Sequence, residues 1–352
     1  MVEQTWDAAL KTTFNIPGLG KAAGAVALAA FCYAGAAQAA DEVLHEKLDH
    51  EAVFSGSFEN DVFAGSDANY TNGVRFAFLS AENNVPDWVV KSAHTLPFFA
   101  SEGHKRWGFA LGQNMYAPTD ITAFNLQVDD RPYAGWTYGT IGMITDTGYR
   151  LDNLQLSVGI VGPGAFAGET QSFVHRVIDS PHPNGWQNQL ENELGVMLTY
   201  ERKWRSLYQL SPFGMGVDFT PSVGGSLGNV ATYASAGAVV RLGYDLPADY
   251  GPPMIRPSLP GSDFFVPSKD FGWYVFAGLD GRAVARDIFL DGNTFQDSHS
   301  VDKELLVGGL QMGLAVTVND IRVAYTHVFR TLEFEGQKEP EAFGALTVSA
   351  RF

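Results

Sequence analysis

"NLQLSVGIVGP", residues 153–163, carries the pattern that decides the fold: Leu154, Leu156, Val158 and Ile160 fall on one side of an extended chain, Gln155, Ser157 and Gly159 on the other. Successive side chains of a strand point to opposite faces, so this segment has one apolar face and one small or polar face. "YTNGVRFAFLS", residues 70–80, repeats the alternation, with Val74, Phe76 and Phe78 between Gly73, Arg75 and Ala77. Working outward from these two gives about twelve such segments, near residues 53–63, 70–80, 106–117, 134–146, 152–161, 190–205, 210–226, 231–245, 271–286, 303–317, 320–333 and 342–352. An even number of antiparallel strands can close with both termini at one end.

Two environments accept such strands, a soluble sandwich and a membrane barrel. Beyond residue 39 no run of about twenty apolar residues occurs, so no helix is expected to cross a bilayer, whereas a barrel strand needs only about ten alternating residues. The chain ends in "GALTVSARF", residues 344–352, which puts Leu346, Val348, Ala350 and Phe352 on one face. A last strand ending in phenylalanine resembles the assembly signal of bacterial outer-membrane barrels. The expected class is therefore all-β, a transmembrane antiparallel β-barrel of about twelve strands, with the barrel-assembly machinery as a partner. Pro252–Pro267 and Asp291–Asp302 are rich in Pro, Gly, Ser and Asp and read as loops. No second domain or internal repeat is evident.

The first residues read as a leader. "AAGAVALAAFCYAGAAQA", residues 22–39, has an apolar core and small residues Ala37 and Ala39 around Gln38, the pattern of a secretory signal cleaved after Ala39. The expected division is residues 1–39, removed, and 40–352, an outer-membrane barrel domain. Cys32, the one cysteine, leaves with the leader, so no disulfide and no cysteine nucleophile are expected. "GLGKAAG", residues 18–24, mimics a phosphate loop but follows no strand. The net charge of −16 makes nucleic acid an improbable partner.

Chemistry has to be sought in polar clusters that strands do not require. In "SFENDVFAGSDANYTNG", residues 57–73, Asn60 and Asp61 end one strand and Thr71 and Asn72 begin the next, so a hairpin brings their oxygens together. Such oxygens suit a hard cation such as calcium; ordinary turn chemistry accounts for them equally. "PGAFAGETQSFVHRVI", residues 163–178, reads as a short helix in an extracellular loop, with Gln171 and His175 four apart on one face. Histidine can act as a general base towards water, or can simply sit on the surface of an amphipathic loop helix. "DDRPYAGW", residues 129–136, offers Asp130 and Arg131 as a bidentate pair bracing the loop. "GWQNQLENELG", residues 185–195, places Trp186 at an interface position beside a run of amides and acids that form either an inward polar network or a solvated approach to the next strand.

Two apparent signals carry less. "GGSLG", residues 224–228, matches a serine nucleophile elbow, but an alternating strand pattern follows where a helix is needed, so Ser226 reads as a barrel residue. His327 lies mid-strand in "VAYTHVF" and reads as a packed or lumen-facing histidine.

The ordered set "SFENDVF", "YTNGVRF", "GQNMYAPTD", "DDRPYAGW", "GIVGPGAFAGETQSFVHRVI" and "GWQNQLENELG" resembles the outer-membrane lipid A deacylase family, the LpxR-like barrels, closely over residues 53–205. The resemblance implies a twelve-stranded barrel with its site between the wall and a loop helix, a lipid A or lipopolysaccharide substrate, and calcium-dependent hydrolysis of an ester holding an acyl chain. It implies His175 as general base, Gln171 as its helix neighbour, Asn60 and Asp61 as the pair ending the first strand, with Asp61 partly holding the metal, and Thr71 as the threonine of the second strand. The family's Lys-Arg pair has no counterpart before Arg131, and its acid downstream of the histidine has none, Pro181 standing near that place and Asp179 two residues earlier. A monomer is expected. The alternatives are an outer-membrane phospholipase, for which Ser172 would be the serine near His175, and a non-catalytic structural or pore barrel.

Overall fold

The computed structural model describes residues 49–61, 69–95, 99, 102–205, 208–211, 214–250, 264–267 and 269–352. The expected leader lies outside these residues, as does most of the loop expected at Pro252–Pro267. Twelve antiparallel strands form a closed barrel. They are β1 (Val53–Asn60), β2 (Asn69–Leu79), β3 (His104–Ala117), β4 (Ala134–Asp146), β5 (Arg150–Val161), β6 (Glu193–Trp204), β7 (Gly216–Gly228), β8 (Ala231–Tyr244), β9 (Phe271–Asp287), β10 (Leu306–Val318), β11 (Ile321–Arg330) and β12 (Glu341–Arg351). Each pairs with its sequence neighbour, and β12 pairs back onto β1 from Val53↔Arg351 to Asn60↔Gly344, which closes the sheet and leaves no exposed edge. Both described ends of the chain lie at one rim.

The alternation read from the sequence sets the two faces. Outward positions such as Phe54, Phe76, Leu111, Leu156, Val158, Leu279 and Val348 are exposed, a belt suited to lipid. Inward positions are small and polar and bond across the sheet, as Ser55 Oγ does with Ser349 Oγ (2.9 Å), Thr140 Oγ1 with Ser157 Oγ (2.8 Å) and Thr347 Oγ1 with Ser57 Oγ (2.9 Å). No helix among the described residues is long and apolar enough to cross a membrane; the helices are α1 (Asp87–Ala93), α2 (Ala167–Ile178) and α3 (Ile288–Asp291).

Both ends of the interior are filled. At the rim holding the termini, Tyr250, Phe264 and Phe265 pack against Val53, Leu79, Ile144 and Leu151. Asp249, beside Tyr250, accepts from Tyr274 Oη (2.9 Å) and pairs with Arg322 (3.1 Å) and Arg241. At the opposite rim, Ile288 and Phe289 of α3 pack onto the inward Trp136 and Tyr138 together with Leu190, Met197 and Val230.

Ser226 and His327 are strand residues. Ser226 pairs with Tyr233 across β7 and β8, with no helix following. His327 is packed, but it faces outward, between Tyr325 and Phe329, whose ring lies 4.5 Å away; strand register, which the sequence leaves open by one residue, turns it from the lumen to the lipid side.

Candidate functional site

The site grows from an irregularity in the belt. Along β3 the outward side chains run Phe109, Leu111, Gln113, Met115; the first two are exposed to lipid, yet Met115 is buried and Gln113 is polar. Something therefore covers the upper outer wall. The cover is the segment between β5 and β6: a short 3₁₀ turn, Pro163–Ala165, followed by α2.

Three features seat it. The Ala165 carbonyl accepts from Gln113 Nε2 (2.6 Å) and Thr137 Oγ1 (2.8 Å), two outward side chains of β3 and β4. The Gly162 amide donates to the Gly135 carbonyl (3.0 Å). Gly135 itself leaves room for the helix, since a Cβ there would stand 2.4 Å from Ala167 Cβ and 3.1 Å from Ala165 Cβ. Met115, Ala117, Ile121, Tyr133, Ala167 and Trp186 then form an apolar cluster outside the barrel.

One stripe of α2, spaced four residues apart, is buried: Ala167, Gln171 and His175. The opposite side exposes Phe166, Phe173 and Val177. Gln171 Oε1 accepts from Trp186 Nε1 (2.7 Å), while Gln171 Nε2 is buried and makes no hydrogen bond. His175 Nδ1 lies 2.6 Å from the Pro181 carbonyl oxygen. A carbonyl only accepts, so Nδ1 carries the proton, and in the neutral ring Nε2 holds the basic lone pair. Pro181, standing near where the family has an acid, thus supplies a backbone oxygen that fixes the tautomer. The chain reaches it through a left-handed turn at Asp179 (φ 55°), and the Ser180 amide returns to the His175 carbonyl (2.9 Å). Asp179 is exposed.

Asn60 belongs to the same outer face. Asn60, Asn72, Met115 and Gly135 are successive register partners across β1 to β4. With neighbouring strands about 4.8 Å apart, Asn60 lies on the order of 10 Å along the sheet from Met115, where the helix is seated. Asp61 follows at the end of β1 and is fully buried. Thr71 sits at a register shift of β2 between Tyr70 and Asn72, a bulge at the rim. A bulge there re-aims the chain beside the pair that ends β1.

Asp130 and Arg131 depart from the expected bidentate pair. Asp130 braces its loop through backbone amides, accepting from Thr119 N (2.8 Å) and Arg131 N (2.8 Å). The Arg131 guanidinium instead turns to the barrel interior, 5.2 Å from the Tyr116 ring, 5.9 Å from the Phe334 ring and 3.3 Å from Glu333. Glu333 is buried, which pushes its pKa up, but Arg330, Arg131 and Arg282 together hold it below the ordinary carboxylate range. Three guanidiniums around one carboxylate outweigh its desolvation, and none of them is presented beside His175. The run around Trp186 ties loops together: Gln187 Nε2 and Asn188 Nδ2 both donate to the Phe124 carbonyl, and Asn192 Oδ1 accepts from Gly164 N (2.7 Å). In the β3–β4 loop, Asp120 is held below its usual pKa by hydrogen bonds from the Thr122 hydroxyl and amide.

The family model described as "Outer membrane protein LpxR" matches residues 25–352. The chain belongs to the LpxR family. It is thereby a member of an outer-membrane hydrolase family that acts on lipid A, and its place is the bacterial outer membrane. Among solved structures, LpxR from Salmonella typhimurium is 21% identical, covers 85% of this chain and 100% of its own, and superposes with a TM-score of 0.70. The β domain of the Bordetella autotransporter BrkA is 10% identical, over 87% of this chain and 98% of its own, at a TM-score of 0.39. No curated protein matches.

The family's calcium can be set against the residues present. Among the described residues no three His, Cys, Asp or Glu side chains cluster as a metal site. Calcium, however, takes amide and backbone oxygens as readily as carboxylates. The buried Asp61 carboxylate and the neighbouring Asn60 amide offer hard oxygens of the kind such an ion takes, and to that extent the donor chemistry fits.

Gln113, Thr137 and the Pro181 carbonyl escape a reading of the sequence alone. Gln113 leaves a trace, a polar residue where the outward apolar stripe of β3 should continue. Pro181 leaves none, because a backbone oxygen has no sequence signal.

Proposed function

We propose that this protein is a calcium-dependent esterase that removes an ester-linked acyl chain from lipid A in the outer leaflet, by water attack with His175 as base. The observation that carries the reading is His175 itself: a buried histidine on a helix clamped to the outer barrel wall, its Nδ1 proton committed to a carbonyl and its Nε2 left basic. A lipid substrate reaches such a place laterally from the leaflet. Nε2 takes a proton from water as the oxygen adds to the ester carbonyl, and returns it to the leaving alkoxide when the acyl–oxygen bond breaks.

Asn60 and Asp61 would hold calcium, which when bound supplies Lewis-acid polarisation of the ester carbonyl. Gln171 Nε2, a buried donor without a protein partner, is available to a substrate oxygen, and Trp186 keeps the amide oriented through Oε1. Thr71 lies next to Asn72, the register partner of Asn60, and contributes from the neighbouring strand. With Arg131 engaged by Glu333, the group of this chain beside His175 that would stabilise an oxyanion is the Gln171 amide rather than a guanidinium. Ser172 lies off the Gln171–His175 stripe, which favours direct water attack over a serine intermediate. Side chains filling both ends of the interior favour an enzyme over a conduit. Assembly through β12 and the Phe352 that follows it, and a monomeric state, complete the reading.

The test is mass spectrometry of lipid A from cells expressing the wild type or His175→Ala, with a calcium-chelated control. Loss of an acyl mass that needs both His175 and calcium is the expected result. Unchanged lipid A beside a folded, heat-modifiable barrel would reject the reading.

A further inference from the structure

On the flank of α2 away from the wall, a groove of about 550 Å³ runs between the helix and residues 182–189. That volume lies within the range of small-ligand sites. Its lining mixes apolar surface with groups of both charges: Glu169, Ser172 and Arg176 from the helix, His182, Trp186 and Gln189 from the returning chain. Two of these are incompletely used. Gln189 Oε1 is a buried acceptor with no hydrogen bond. Arg176 spends only Nε, on the Ser172 carbonyl (3.2 Å), and no described carboxylate pairs with it, unlike Arg131, Arg330 and Lys303 at the same rim. Gly168 lets the Trp186 ring press against the helix, since a Cβ there would come within 3.0 Å of the ring, and the groove takes its floor from that contact.

An unpaired guanidinium, an unsatisfied buried acceptor, a carboxylate and an indole in one open groove are the groups that recognise a phosphorylated sugar. The guanidinium receives phosphate, Gln189 Oε1 and Glu169 accept hydrogen bonds from hydroxyls, and the buried indole closes the floor beneath them. Ser172 and Arg176 each follow directly on Gln171 and His175, so an occupant of this groove lies one helix face from the proposed chemistry. We infer that the groove binds the phosphorylated sugar headgroup of the glycolipid whose acyl ester is presented to His175, an inference that rests on the function proposed above.

Binding without turnover separates the two. His175→Ala protein in detergent micelles is titrated with phosphorylated lipid A and with lipid A stripped of phosphate, with and without Arg176→Gln or Gln189→Met, heat-modifiability confirming folding. Arg176→Gln is expected to weaken the phosphorylated lipid about tenfold, the worth of one charge-assisted hydrogen bond, and to leave the stripped lipid unchanged. Gln189→Met is expected to weaken both. Equal affinity of the parent for both lipids, or no effect of Arg176→Gln, overturns the inference whether or not the protein hydrolyses anything. Inorganic phosphate competing as well as the lipid overturns the headgroup assignment in favour of a simple anion site.

Discussion

Substituting Gly135 by alanine adds one methyl group under the helix that carries His175. That Cβ would stand 2.4 Å from Ala167 Cβ, where 3.4 Å is the shortest ordinary contact, so α2 must retreat by about 1 Å. Neither neighbour can rotate away, because both are alanine Cβ atoms on the 3₁₀ turn and the helix. The retreat also strains the bonds from Gln113 and Thr137 to the Ala165 carbonyl. Overpacking of this kind costs about 1–3 kcal/mol, borne locally by the cover since every barrel strand pair is untouched. Misplacing a catalytic group by about 1 Å can cost 10²-fold in rate, so kcat for lipid A should fall by about two orders of magnitude. Heat-modifiability should stay at the wild-type value, while hydrogen exchange in residues 162–185 rises. Gly135→Ala with wild-type kcat and wild-type protection of that segment would refute the argument that the wall positions the base.

Three further expectations can be checked alongside. Trp186→Phe keeps the packing but leaves Gln171 Oε1 without its donor, an unmade buried bond of about 1–3 kcal/mol, and should lower kcat about tenfold with the same detergent-solubilised fold. Asp61→Asn should raise the calcium concentration needed for half-maximal activity, and chelation should abolish activity of the wild type reversibly; activity indifferent to both would remove calcium from the mechanism. Glu333, whose pKa is depressed in the folded state by its arginines, contributes stability that is present above its unfolded value and lost as pH falls through its lowered folded value. Glu333→Gln should therefore destabilise the upper rim by about 3–5 kcal/mol at neutral pH, with the difference from wild type narrowing in acid, as read by thermal melts across pH.

Period-two alternation is a local property, so the sequence by itself determined about twelve amphipathic strands and permitted their closure, while the pairing of the last strand with the first belongs to the tertiary structure. Residues 153–163 and 344–352 read the same in isolation as in the closed sheet, because each strand needs only lipid on one side and small polar neighbours on the other. The helix with Gln171 and His175 was legible for the same reason, its four-residue spacing being contained within one turn. What the helix lies on was not. Only the tertiary structure brings Gly135, Gln113 and Thr137 under it, sets Trp186 on the Gln171 amide, fixes the His175 tautomer through the Pro181 carbonyl, and turns Arg131 inward to Glu333. These contacts join separate segments of the chain, and they depend on register across β1 to β4 and on backbone oxygens, which residue identity does not encode. The sequence names the groups that can do chemistry, and folding decides which of them face the same space.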